Sequence, residues 1–143
     1  MILDILEDED YKEMIEGQIF ELIGHLLNKQ QEFSITVNIK AVEFEPEIPD
    51  TISSNFQPFT VFALANYTYS SIELTDTHIS FETGFGPQNF GSVVTVPLFA
   101  LFQIVVSDSI LFLNPLATID KFVGQLNQKD QETRSLNAFK PLK

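Results

Sequence analysis

The sequence has no cysteine and no tryptophan in 143 residues. Without cysteine there is no disulfide, no thiolate-bound zinc and no thiol nucleophile, and the composition fits a reducing compartment, read here as the cytoplasm. Cations are scarce too. Eight Lys+Arg stand against 20 Asp+Glu, and none falls between Lys40 and Lys121. Recognition of nucleic acid through its phosphates needs several cations on one face, so this stretch argues against such a partner, and an anionic membrane would be repelled by it. No apolar run reaches the ~20 residues of a membrane helix. The acidic start from Asp4 to Asp10 has no basic segment ahead of an apolar core, which argues against a secretory signal. Catalytic signatures are also missing. His25 and His78 are isolated, and no H-E-x-x-H, G-x-S-x-G or EF-hand loop occurs. Gly84, Gly86 and Gly91 are followed by no Lys, and Pro87 removes an amide that a phosphate loop would need. The reading is of a protein that is not an enzyme, with no catalytic residue, no metal site and no cofactor.

What charge there is, is unevenly placed. Residues 1–120 hold three bases against eighteen acids, whereas residues 121–143 hold five bases (Lys121, Lys129, Arg134, Lys140, Lys143) against Asp130 and Glu132. The division suggests a body at 1–126, a polar linker at 127–135 and an apolar-basic tail at 136–143.

Within the body, apolar residues recur at helical spacing (Tyr11, Ile15, Ile19, Leu22, Ile23, Leu26), with Met14, Phe20 and Leu27 widening the stripe. This predicts a helix over 11–28, with Asp10 and Glu13 as a capping box. Part of its wide arc is available either to its own domain or to a second copy, which Gly17 and Gly24 would let approach closely. The period then changes to two: Phe33, Ile35, Val37 and Ile39 alternate with polar residues, the mark of a strand with one wet face. Val42 and Phe44 are read as continuing the same edge after a bulge, and residues 50–53 as one helical turn. Strands are also expected within 58–68, at 72–74 and 78–84 around the turn at 75–77, at 92–96 and at 110–113. Residues 85–91 are read as a loop. Pro97 is placed to begin a short helix over 98–105, and a second short helix is expected over 117–126. The sum is an α+β fold: an N-terminal helix and a small, strongly curved antiparallel sheet or barrel.

Fourteen Phe is a heavy aromatic load, and Phe59, Phe62, Phe81, Phe85 and Phe90 gather around one Gly/Pro loop. A groove lined by such side chains beside an open strand edge suits an extended peptide, with backbone bonds supplying affinity and alternate pockets selectivity.

The order of segments resembles the stringent starvation protein B (SspB) family. The run Phe81-Glu-Thr-Gly-Phe-Gly86, the segment Val93-Val-Thr-Val-Pro-Leu-Phe-Ala-Leu101 and the strand at Ile110-Leu-Phe112 carry the likeness, supported by Ile48-Pro-Asp50 and Ile72-Glu-Leu74. It covers about residues 10–115. The resemblance implies a Sm-like β-barrel and a bacterial, cytoplasmic homodimer joined through the N-terminal helix, here Tyr11, Ile15, Ile19, Leu22 and Leu26. It further implies an adaptor for the ClpXP protease. A groove would hold the degron of an ssrA-tagged substrate, assigned by motif to Phe81, Thr83, Phe85 and Gly86 and along the preceding strand to Phe59, Val61 and Ala63. A C-terminal tail would dock on the ClpX unfoldase through Leu136, Phe139, Lys140, Leu142 and Lys143. This chain departs from the family in a short linker and in Pro87-Gln-Asn-Phe90 after the Phe-Gly turn. The alternatives are a Sm-like barrel that binds RNA and a barrel that binds a small ligand.

Overall fold

The helical stripe folds as expected and begins earlier than its apolar residues. In the computed structural model, which describes residues 2–119 and 122, helix α1 (Ile2–Leu6) precedes a 20-residue helix α2 (Glu9–Asn28). Asp8 is the N-cap: its carboxylate accepts the Asp10 N–H at 3.2 Å, so the box expected from Asp10 and Glu13 is not used. α2 turns Ile15, Ile19, Ile23 and Leu26 into the core. The dimer stripe expected on this helix is thereby corrected at three of its five residues. Ile15, Ile19 and Leu26 are covered by their own chain, with Tyr11 and Leu22 packed at the margin of the same core.

Among the described residues eight strands follow: β1 (Phe33–Asn38), β2 (Glu43–Glu45), β3 (Phe59–Leu64), β4 (Glu73–Leu74), β5 (His78–Phe85), β6 (Phe90–Pro97), β7 (Leu101–Val106) and β8 (Ser109–Leu113). Between them stand two short helices, α3 (Asp50–Ser53) and α4 (Asn66–Ser70), the first at the expected position. The strands form two antiparallel four-stranded sheets, ordered β3-β1-β7-β8 and β2-β6-β5-β4. The fold is therefore α+β, but among the described residues no backbone ladder closes the two sheets into one barrel. The chain instead turns two corners on 3₁₀ turns, Ile39–Ala41 between β1 and β2 and Leu98–Ala100 between β6 and β7, and changes sheet at each. Two expectations fail at these corners. Phe44 lies in the opposite sheet from β1, and the helix foreseen over 98–105 is one 3₁₀ turn followed by β7.

Inner faces of both sheets supply the core. Ile35, Val37 and Ile104 from one meet Ile79, Phe81, Val94 and Val96 from the other, and α2 packs over the Leu98–Ala100 corner. Two buried asparagines hold the segment after β8. Asn114 donates through Nδ2 to Phe99 O (3.0 Å) and Leu101 O (2.9 Å) and accepts the Leu116 N–H (3.0 Å), while Asn38 donates to Ala117 O at 2.9 Å. Pro115–Thr118 forms a 3₁₀ turn that overlaps only the start of the helix expected over 117–126, and Phe122 within that span is helical. Most of the remainder of that helix, the linker at 127–135 and the tail residues Leu136, Phe139, Lys140, Leu142 and Lys143 lie outside the described residues. No helix among the described residues is long and apolar enough to cross a membrane.

Candidate peptide groove

β3 is an edge strand, and its register says which of its groups are open. The Ile39 N–H donates to Pro58 O at 3.0 Å, just beyond the paired residues Asn38 and Phe59. In an antiparallel ladder the bonding direction alternates, so Thr60, Phe62 and Leu64 bond toward β1. Phe59, Val61 and Ala63 point their N–H and C=O groups outward, and among the described residues these groups have no partner. The side chains of the same three residues are exposed, Val61 at 63% and Phe59 at 38%. The three residues assigned along this strand thus lie together on one open edge.

Phe62 and Leu64 point the other way, into the core. The Phe62 ring meets Phe81 at 5.4 Å and Phe85 at 6.2 Å between centroids, and Phe85 in turn meets Phe44 (5.7 Å) and Phe56 (5.8 Å), themselves stacked at 5.7 Å. Where a barrel would join β3 to β5 by hydrogen bonds, this chain bridges the strands with aromatic rings. Each such pair contributes ~1 kcal/mol beyond its buried area. Phe81 is 1% exposed, so its side chain supports the floor from within and does not line a surface, which corrects its assignment. Phe85 and Thr83 are half-buried. Phe44 and Phe56, missed in the sequence, are half-buried members of the same cluster; each stands two residues before a proline, which was the only local signal.

Gly86 opens the β5–β6 turn at φ +72°, a left-handed conformation that favours glycine, and a Cβ there would sit 3.2 Å from Ile52 of α3. Residues 85 and 90, expected in a loop, face each other as the last pair of the ladder, leaving a four-residue turn. One step in, Gly84 faces Gly91 across the two strands; the Asn89 side chain folds back over Gly84 into the space a Cβ would take, while Gly91 is left open. Beside them runs a cleft of about 620 Å³, lined by Asn89 and reaching from Tyr67 and Thr68 of α4 to Glu45 and Pro46. On the outer edge of β5, Ser71 Oγ accepts the Glu82 N–H at 2.8 Å, and two residues on Gly84 presents its backbone groups to the same side. The Tyr67 hydroxyl donates to the Glu82 carboxylate. That bond, with the carboxylate charge behind it, pushes the phenol above its ordinary value and keeps it a donor.

Neither the family models nor the curated proteins compared with this chain give a match. The site therefore rests on its own chemistry. It offers two strand edges with open backbone groups, the half-buried rings of Phe85, Phe44 and Phe56 resting on the buried Phe62 and Phe81, a cleft beside them lined by Gly84, Asn89 and Gly91 and, among the lining residues of that cleft, the acids Glu45 and Glu82 with no base. Among the described residues no group of three His, Asp or Glu side chains is placed to hold a metal ion. Open backbone groups beside apolar side chains are the features by which strand addition takes up an extended chain.

Proposed function

We propose that this chain is a proteolysis adaptor of the kind the SspB resemblance implies. It takes the extended degron of an ssrA-type tagged substrate along β3 and presents it to the ClpX unfoldase of ClpXP through residues 136–143, in the cytoplasm. On this reading the two sheets are an opened form of a Sm-like barrel, parted where β3 and β5 face each other across Phe62. The observation that carries the proposal is the pairing of open backbone with exposed side chains at Phe59, Val61 and Ala63. That is what strand addition requires: main-chain bonds for affinity and alternate side chains for selectivity. Thr83, Phe85 and Gly86 then border the bound chain, and Phe81 fixes the ring of Phe62 from below.

The adaptor itself performs no bond chemistry. Tethering raises the concentration of the tag at the unfoldase to roughly millimolar for a short linker, and no new contact with the substrate is needed. The test separates the two ends. A fluorescent tag peptide should bind the full chain and the chain lacking residues 136–143 with equal affinity by anisotropy, while ClpXP degradation of a tagged substrate at limiting concentration should be stimulated only by the full chain. Equal stimulation by both, or loss of peptide binding on truncation, contradicts the modular reading.

A further inference from the structure

At the edge of its sheet opposite β3, β8 carries a pattern that the groove does not use. Its register on β7 slips: Ile110 faces Val105 and Phe112 faces Ile104, which leaves Leu111 as the extra residue of a bulge. Phe112 is half-buried, whereas Ile110, Leu111 and Leu113 are 57%, 45% and 56% exposed. The strand holds no charged residue and no proline, the usual devices that keep an open edge from pairing. Among the described residues nothing pairs with its outer side. The adjoining sheet face is equally neutral: by register Gln103 and Val105 of β7 lie beside Ser34 and Thr36 of β1, and these beside Val61 and Ala63. On the other sheet, β2, β4 and β5 expose Glu43, Glu45, Glu73 and Glu82.

These facts select the occupant. A chain of formal net charge −12 repels its own copies over most of its surface. The β8 edge is a place where two copies meet with no carboxylate brought to a carboxylate. An edge strand set antiparallel against itself about a twofold axis is also self-complementary, each open N–H meeting a C=O of the same strand in the other copy. We propose that β8 pairs with β8 of a second copy, joining two four-stranded sheets into one of eight strands with Ile110, Leu111 and Leu113 of both copies in contact. A five-residue ladder buries less than the ~1,200 Å² of a standard interface, so the dimer is weak and concentration-dependent. Since β3 is the far edge of the sheet, both peptide edges stay open. The inference does not depend on what the groove binds.

The full chain has no cysteine, so Leu111→Cys carries the only thiol. Sedimentation over ~1–500 µM should show the mass rising from one copy toward two. Leu111→Cys should give covalent dimers with a short bis-maleimide, while Gln18→Cys, on the exposed side of α2, should not. Leu113→Lys, checked by circular dichroism, should weaken association at least ~tenfold. A mass of one copy at every concentration overturns the proposal, and would leave the chain's own residues 123–143 or another protein as the cover of β8. A dimer indifferent to Leu113→Lys but abolished by Met14→Lys also overturns it, by moving the contact to α2. Should Leu113→Lys fail to fold, the cross-linking of Leu111→Cys against Gln18→Cys decides alone.

Discussion

The ammonium of Lys12 lies 5.0 Å from the centre of the Phe99 ring, 5.4 Å from that of Phe122 and 3.7 Å from the Glu16 carboxylate. One turn of α2 thus ties the helix to the corner at Leu98–Ala100. Burial raises the Glu16 carboxyl above its ordinary value, and Lys12 offsets only part of the rise. The sign follows from proton linkage. A carboxyl whose folded value is raised holds its proton more tightly when folded, so its contribution is full below the ordinary carboxyl range and is lost as pH climbs through the raised value. Glu16→Gln should therefore match the parent in stability near pH 3 and exceed it at pH 7, by under ~1 kcal/mol because Lys12 and residual hydration compensate the charge. Urea melts at the two pH values check this, and a variant less stable at pH 7 would show that the ion pair outweighs burial. None of this was legible in the sequence, where Lys12 is one cation among acids. Asn38 and Asn114 were equally silent: Asn38 falls on the wet side of the β1 alternation and Asn114 in the turn after β8, and neither position gives a sign that the fold will bury a polar residue there.

At the scale of elements, the legible parts were those with a clean period. The 3.6-residue repeat of α2 and the two-residue alternation of β1 are dictated by a single buried face, and the turn at 75–77 by its polar residues between apolar ones. Residues 98–105 were misread because Leu98, Phe99, Ala100 and Leu101 are all buried, so the run has no wet face to mark its period. The breadth of the α2 stripe was visible, but a stripe does not say whose surface covers it. β3 carries the element-scale prediction. Its outward N–H groups are unused in the free protein, and proline is tolerated where an edge N–H faces solvent. Val61→Pro should leave the β1 ladder and the melting temperature nearly unchanged while reducing tag-peptide affinity at least ~tenfold, since it removes a donor and places a ring in the path of the added strand. Thr60→Pro, one residue earlier, removes a ladder bond to β1 and should cost ~1–3 kcal/mol of stability. Equal loss of peptide binding and stability in both variants would mean that the edge acts only through the fold.

Across the whole molecule, charge constrains what the groove accepts. From residue 41 to 119 the structure holds eight carboxylates and no Lys or Arg, so no cation from this stretch meets an incoming tag, and the surrounding field is negative. On the proposed reading, a tag that carries carboxylates would bind against this field and gain its affinity from backbone bonds and apolar contact. Screening weakens the repulsion, because the Debye length falls from ~20 Å near 20 mM salt to ~8 Å at physiological strength. The affinity of such a tag should therefore rise ~2–5-fold between ~20 and ~200 mM NaCl, while an analogue with its carboxylates replaced by amides should bind with a nearly flat salt profile. This is the reverse of the behaviour of a phosphate-binding surface, whose affinity falls steeply over the same range. A falling profile for the carboxylate tag would mean that cations do reach it, and would move the binding surface from β3 to the basic residues beyond 120.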